Sequence, residues 1–314
     1  MDKKIFKNII SSDYEHPYDK KALKILKKTP GIDLIVKKFW ELGIEKILKI
    51  QYTGSHIRVT KNNLPELYKT YIQTCEILDM NKIPDLYLIM NYNINAFTTG
   101  VNNPIVILNT SCLDLLNESE LRFIIGHELG HIKSGHVLYH QIANILPHIG
   151  NMVGNATFGI GNLLSIGLRI AILNWKRMAE FSSDRAGLLA CQDINSAINT
   201  MVKISGLPTK YYSKEIVEDF LKQAKEFEDL DYDNLSRLTK YFIAIEMSHP
   251  WTVLRGSEFI KWTETGRYDE ILKTDFDKRQ ILDMNYNQCP FCNTEITKSY
   301  KFCVKCGRKI KNIS

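Results

Sequence analysis

Between Ser134 and Leu168 the chain carries no Asp, Glu, Lys or Arg. So long a stretch without charge, rich in Gly, Ile and Leu, bears on whether the chain is soluble or meets a membrane. The pattern is not that of a membrane span. Asn144, His148, Asn151, Asn155 and Asn162 interrupt the stretch and Pro147 breaks it, so no window offers the roughly 20 predominantly apolar residues that crossing requires. A buried helical hairpin or an amphipathic segment lying on a surface fits, and peripheral membrane contact through 134–168 stays open.

The rest of the 314 residues is of ordinary globular composition, 44% hydrophobic and 24% charged, which excludes collagen, coiled coil and disorder. A chain of this length can bury its own core, and length alone suggests about two domains. Charge is unevenly placed: residues 1–60 carry 13 basic and 7 acidic side chains, residues 289–314 carry 6 and 1, and the body between is net acidic. Basic ends could attract anionic lipid or nucleic acid, but Lys runs more often make a solvated surface, and nucleic acid is not expected as a partner. The apolar run after Met1 is far too short for a secretory signal. Seven Cys are too few for a disulfide scaffold in so long a chain, and four of them form two C-x-x-C pairs. Together these point to a reducing, cytoplasmic location, with membrane association left open.

Periodicity divides the chain. Lys20–Lys28 reads as a short basic helix stopped by Pro30-Gly31, and Leu34–Leu48 as a second. Asn63–Met80 reads as a helix capped by Asn63. The period then shortens: Leu86–Met90, Ala96–Thr98 and Ile105–Leu108 read as three strands of a small sheet. From Leu113 to about Cys191, and on through Ser196–Ile204, Ser213–Phe227 and Tyr232–Met247, the pattern is helical.

Within Phe123–Lys133 stands His127-Glu128-Leu129-Gly130-His131. On a helix, i and i+4 share a face, so two imidazoles can hold one zinc while Glu128 polarises a water beside it. Asn117 to Glu120 looks like a capping start for that helix. The motif is short enough to arise by chance, and a third protein ligand must be found. A nearby histidine at H-x-x-G-x-x-H spacing is absent, since Gly135 and His136 miss those positions by one residue. Glu180 and Asp184, again i,i+4, offer carboxylates on a second helix: one can bind zinc while the other orients a ligand histidine. Without the upstream motif they would read as a charge pair with Arg177 and Arg185.

At this point the sequence resembles the zinc metallopeptidases grouped with the HtpX heat-shock protease and the CAAX prenyl endopeptidase, most of all a soluble bacterial subgroup. The similarity runs from about Tyr14 to about Trp262. It rests on Asn95-Ala96-Phe97-Thr-Thr-Gly100, Ile105–Asn109, Gly126–Ile132, Glu180-Phe-Ser-Ser-Asp184-Arg-Ala-Gly187, and Ser248-His249-Pro250 followed by Arg255. The resemblance implies that His127, His131 and Glu180 bind the catalytic zinc, Glu128 is the general base, and Asp184 supports a ligand. It implies that His249 stabilises the oxyanion with Arg255 bracing that site, and that Asn95, Ala96 and Phe97 end an edge strand that pairs with extended substrate. Two departures stand out: Ser183 where the family usually has Ala before the Asp, and the absence of clear membrane spans. On position alone His249 would be a buried residue before Pro250. His16, His56, His136, His140 and His148 take no role, although His136 and His140 lie near enough to rim the cleft.

Near the C-terminus, Cys289-Pro-Phe-Cys292 and Cys303-Val-Lys-Cys306-Gly307 make a zinc-ribbon pattern. Four thiolates close a tetrahedral site with no open position, so this zinc is structural, and in so short a module it would supply the folding free energy. Cys75, Cys112 and Cys191 read as buried small hydrophobes.

The expectation is a mainly α protein with a small mixed sheet (α+β), a zincin domain at 61–285. A basic helical extension at 1–60 packs on it and a ribbon follows at 286–314. It would hold two zinc ions, one catalytic and one structural, and hydrolyse peptide bonds of unfolded or extended protein substrates in protein quality control. The alternative is a catalytically silent scaffold that recruits partners through the ribbon.

Overall fold

In the computed structural model the described residues are 3–153, 166–229 and 251–276. The expected helix at Tyr232–Met247, His249 and the cysteine module lie outside them.

Helix α1 (Pro17–Lys28) opens on a proline in its first turn, with the His16 side chain accepting the Tyr18 backbone N–H. Two helices, α2 (Ile32–Glu41) and α3 (Ile44–Ser55), replace the single one read over Leu34–Leu48. Gly43 breaks them at φ 61°, a left-handed conformation that glycine adopts without strain. A short strand β1 (Ile57–Arg58) follows, too brief to show any alternation in the sequence. Helix α4 (Pro65–Ile77) starts at Pro65, with no side-chain cap. Asn63 instead closes the turn before it, accepting from the Thr60 N–H and donating to the Arg58 carbonyl, both at 2.8 Å.

Strands β2 (Asp85–Ile89), β3 (Ala96–Thr99) and β4 (Ile105–Asn109) complete a sheet ordered β1-β2-β4-β3. β2 and β4 run parallel, with Leu86 opposite Val106, and the other two pairings are antiparallel. The central β4 is buried throughout, which is why Ile105–Leu108 reads as an unbroken apolar run. β3 is the outer strand, in register Ala96 to Leu108 and Thr98 to Val106.

The remaining helices are α5 (Ser111–Leu115), α6 (Glu118–Lys133), α7 (Val137–Val153), α8 (Ile166–Cys191), α9 (Ile194–Ile204), α10 (Lys214–Asp229), α11 (Thr252–Glu264) and α12 (Arg267–Lys273). α6 starts as the sequence suggested: Asn117 accepts the Glu120 N–H at 3.0 Å and Glu120 accepts the Asn117 N–H at 2.8 Å. Lys203 of α9 reaches the same Glu120 carboxylate at 2.7 Å, so this buried acid is paired. α7 runs on through Pro147 rather than ending there.

Two apolar clusters hold these elements. In the larger, Phe6, Ile9 and Tyr14 from the N-terminal segment join Leu86, Val106, Phe123, Ile125 and Leu188. In the second, Leu23, Leu26, Ile32 and Phe39 of α1 and α2 cover Leu138, Tyr139, Ile142, Leu168 and Trp175. The described ends of the charge-free stretch are thus buried against the N-terminal helices. No helix among the described residues is long and apolar enough to cross a membrane. Cys75, Cys112 and Cys191 are buried and free, and burial pushes their thiols up to about 12, 11 and 12, which keeps them protonated and inert.

The tightest contact is between α6 and α8. A Cβ on Gly126 would stand 2.3 Å from the Ala190 Cβ, and one on Gly130 would stand 2.6 Å from the Ala186 Cβ and 3.2 Å from the Ser183 Cα. Ser183, the departure from the resembled pattern, is fully buried in this seam. Gly130→Ala is expected to destabilise the fold by about 1–3 kcal/mol through overpacking. Adding Ala186→Gly should recover part of the loss, as measured by urea unfolding.

Candidate active site

His127, Glu128 and His131 project from the middle of α6, and Glu180 and Asp184 from α8 across the glycine seam. All five are at most 6% exposed. The two imidazole Nε2 atoms lie 3.1 Å apart. Glu180 places Oε2 3.4 Å from His127 Nε2 and Oε1 3.4 Å from His131 Nε2. Tetrahedral zinc with bonds of 2.0–2.1 Å separates its donors by about 3.3 Å. The donor set and its spacing therefore fit zinc. Glu128 belongs to the same group, with a carboxylate oxygen within 4.8 Å of the His127 and His131 donor atoms.

These side chains are held from behind. His127 turns Nδ1 to Asp184 Oδ1 at 2.9 Å. Arg255 of α11 grips that carboxylate with two hydrogen bonds, Nε to Oδ2 at 2.8 Å and Nη2 to Oδ1 at 2.5 Å, and its Nη1 lies 4.0 Å from Glu180. Burial works against the Asp184 charge, yet Arg255 and His127 hold its carboxyl below the ordinary range. Burial also opposes charging of His127, but hydrogen bonds and charge from Asp184 and Glu180 prevail and raise it to about 9. His131 goes the other way: burial pushes it down to about 3 despite Glu180. Two histidines one turn apart are thus shifted in opposite directions.

The sheet reaches the site through β3. Thr98 donates from Oγ1 to Glu128 Oε2 at 2.8 Å, fixing the carboxylate beside the ligand pair. On the same strand Ala96 is buried, and the Phe97 ring packs on Tyr52 of α3 with centroids 5.2 Å apart. Asn95 is exposed, with its carbonyl accepting the Asn109 N–H of β4. Asn95, Ala96 and Phe97 therefore lead into the outer strand that borders Glu128, while Arg255 sits against Asp184. His249 lies outside the described residues, as do Cys289, Cys292, Cys303 and Cys306.

Four contributors escaped the sequence reading. Thr98 lies inside the Asn95–Gly100 segment but was given no role of its own. His136 and His140, read as bland, stand inside: their rings lie 5.3 and 4.4 Å from the His131 ring, and both pack on Trp175. His140 and Glu180 place donor atoms within 4.8 Å of His131. Asp19, from α1, is fully buried with Trp175 Nε1 donating to it at 3.1 Å. The only available signal was the clustering of histidines after the H-E-x-x-H motif.

A helix pair presenting two imidazoles and two carboxylates, one of them hydrogen-bonded to an outer strand alongside, fits a zincin-type metallopeptidase domain. Comparison with known families agrees: residues 61–263 match peptidase family M48. The chain belongs to that family and is a metalloprotease. It is 30% identical over 272 residues to the plastoglobule-localized metallopeptidase 48 of Arabidopsis thaliana chloroplasts, covering 86% of this chain and 77% of that one. It is 27% and 30% identical to proteases called HtpX homolog 2 from Methanosarcina acetivorans and Methanosarcina mazei. Those alignments cover 52% and 49% of this chain and 63% and 60% of theirs, under two thirds of each relative. No solved structure matches.

With His127 raised to about 9 by Asp184 and Glu180, zinc binding through that ring would displace a proton, and zinc affinity is expected to rise with pH up to about 9, roughly tenfold per unit for one proton. Competition against a chelator, reading zinc held in excess of a Glu180→Ala variant, checks this. An affinity that is flat from pH 7 to 9 would contradict it.

Proposed function

We propose that this metalloprotease is a zinc-dependent endopeptidase acting on extended or unfolded stretches of protein, and that its place is in protein quality control. The observation that carries the reading is the Thr98–Glu128 hydrogen bond, which ties the outer strand β3 to the carboxylate beside the ligand pair. A peptide added along β3 by main-chain pairing would pass over Glu128. Such pairing gives affinity with little sequence preference, which suits unfolded substrates.

In this reading His127, His131 and Glu180 hold the zinc, which when bound supplies Lewis acidity and brings the ionisation of its water near neutral pH. Glu128 takes the proton from the attacking water and returns it to the leaving amine. Asp184 and Arg255 are positioning residues: Asp184 fixes the His127 ring, and Arg255 keeps Asp184 ionised. His249 is proposed to stabilise the oxyanion, on the resemblance of the Ser248-His249-Pro250 segment. Cys289, Cys292, Cys303 and Cys306 are proposed to hold a second, structural zinc in a C-terminal ribbon.

A scaffold that only recruits partners would not need Glu128 buried, hydrogen-bonded and turned toward the ligands. Glu128→Gln should keep its zinc and its fold while casein hydrolysis falls by roughly 10²–10⁴-fold. Retained hydrolysis by a zinc-loaded Glu128→Gln protein would overturn the assignment. Thr98→Val should lower kcat more gently, since it removes one hydrogen bond that positions Glu128.

A further inference from the structure

Imidazoles that bind zinc through Nε2 need a partner for Nδ1, and that partner sets the tautomer and the orientation of the ring. His127 has a carboxylate there. His131 does not: its Nδ1 lies 3.1 Å from the Nδ1 of His136, another imidazole. Only one of two facing ring nitrogens can carry the proton. With the His131 Nε2 lone pair aimed at the Glu180 side, the proton belongs on His131 Nδ1, and His136 Nδ1 must accept it. His136 then carries its own proton on Nε2. That nitrogen stands 3.0 Å from Asp19 Oδ2, close beside it but outside the angle of a hydrogen bond, so a small turn of the ring would complete the contact.

Asp19 is built in rather than incidental. It is fully buried, accepts from Trp175 Nε1 at 3.1 Å on Oδ1, and accepts from Ser182 Oγ at 2.6 Å on Oδ2. Ser182 Oγ in turn accepts the His16 N–H at 2.9 Å, at the start of α1. Trp175 and Ser182 both belong to α8, the helix that carries Glu180. The carboxylate of an N-terminal helix is thereby locked to the helix that supplies the third ligand. Burying a carboxylate is unfavourable unless it is compensated, so its presence here calls for a role.

The geometry points to His136 and Asp19 as positioning residues for His131. The relay His131–His136–Asp19 would do for one ligand what Asp184–Arg255 does for the other, and it makes α1, which precedes the family-matched residues 61–263, part of the metal centre. The two supports are not equal. A neutral imidazole is a weaker acceptor than a carboxylate, so His131 is the less polarised ligand. This inference rests on the reading of His131 and Glu180 as zinc ligands.

The test is made in the full-length protein with Asp19→Asn, Asp19→Ala, His136→Asn and His136→Ala. Zinc affinity is read by chelator competition as zinc held beyond that of Glu180→Ala, and histidine tautomers by nitrogen-15 correlation spectra of the ring nuclei. The relay predicts His131 protonated on Nδ1 and His136 on Nε2 in the parent protein. It predicts zinc binding about 10–100-fold weaker in His136→Ala and Asp19→Ala. His136→Asn, whose amide oxygen can still accept, should recover part of the affinity. Asp19→Asn keeps the shape and an acceptor for Trp175, so it decides the matter if Asp19→Ala fails to fold; it should weaken zinc binding and shift the His136 tautomer. Zinc affinity within twofold of the parent in folded Asp19→Asn and His136→Ala, or a parent His136 protonated on Nδ1, would overturn the inference. If Glu180→Ala itself holds as much zinc as the parent, the ligand assignment fails first.

Discussion

The distance between α6 and α8 governs the whole site. Gly126 and Gly130 leave no side chain where α8 passes, and Ala186, Gly187 and Ala190 leave little on the other side. Only at that spacing can Glu180 reach both His127 and His131 at 3.4 Å. The histidines and the glycines come from the same short segment, Gly126 to His131. It places ligands on one face of the helix and removes side chains from the adjoining one. The seam is buried, so the polar groups that converge beside it lie in a poorly solvated space where their charges act strongly on one another.

That burial has to be compensated, and the compensation explains most of the polar residues around the centre. Asp184 stays ionised because Arg255 grips it, and His127 is raised to about 9 because Asp184 and Glu180 face it. On the other side, Asp19 is held by Trp175 and Ser182 and lies beside His136. The N-terminal segment that supplies Asp19 also supplies Phe6, Ile9 and Tyr14 to the main core and α1 and α2 to the second. It is therefore integral to the folded body, and its basic surface says nothing of the acid it hides.

Residues 127–131, 180 and 184 were legible because helix geometry converts a spacing of four into a shared face, and the order of motifs narrowed the choice of third ligand. The sheet was legible where strands are buried, as in Ile105–Leu108, and not in β1, whose two residues are below the reach of any period. The break at Gly43 was missed because the apolar spacing on either side continues in phase. Asn63 was misread because Asn serves turns and caps by the same side-chain acceptor, and only the fold decides which N–H it meets. Asp19, Thr98 and His136 were given no role for a different reason. Their partners are 163, 30 and 5 residues away, at Ser182, Glu128 and His131, so none belongs to a local pattern with Glu180.

The central claim is that two helices, packed through glycine, make one zinc site from two imidazoles and Glu180. Metal analysis of purified, dialysed Glu180→Ala against the parent tests it most directly. The account predicts one zinc equivalent fewer in a protein of unchanged helical content, with no hydrolysis of casein. The parent's full zinc content, with proteolysis intact, would contradict it.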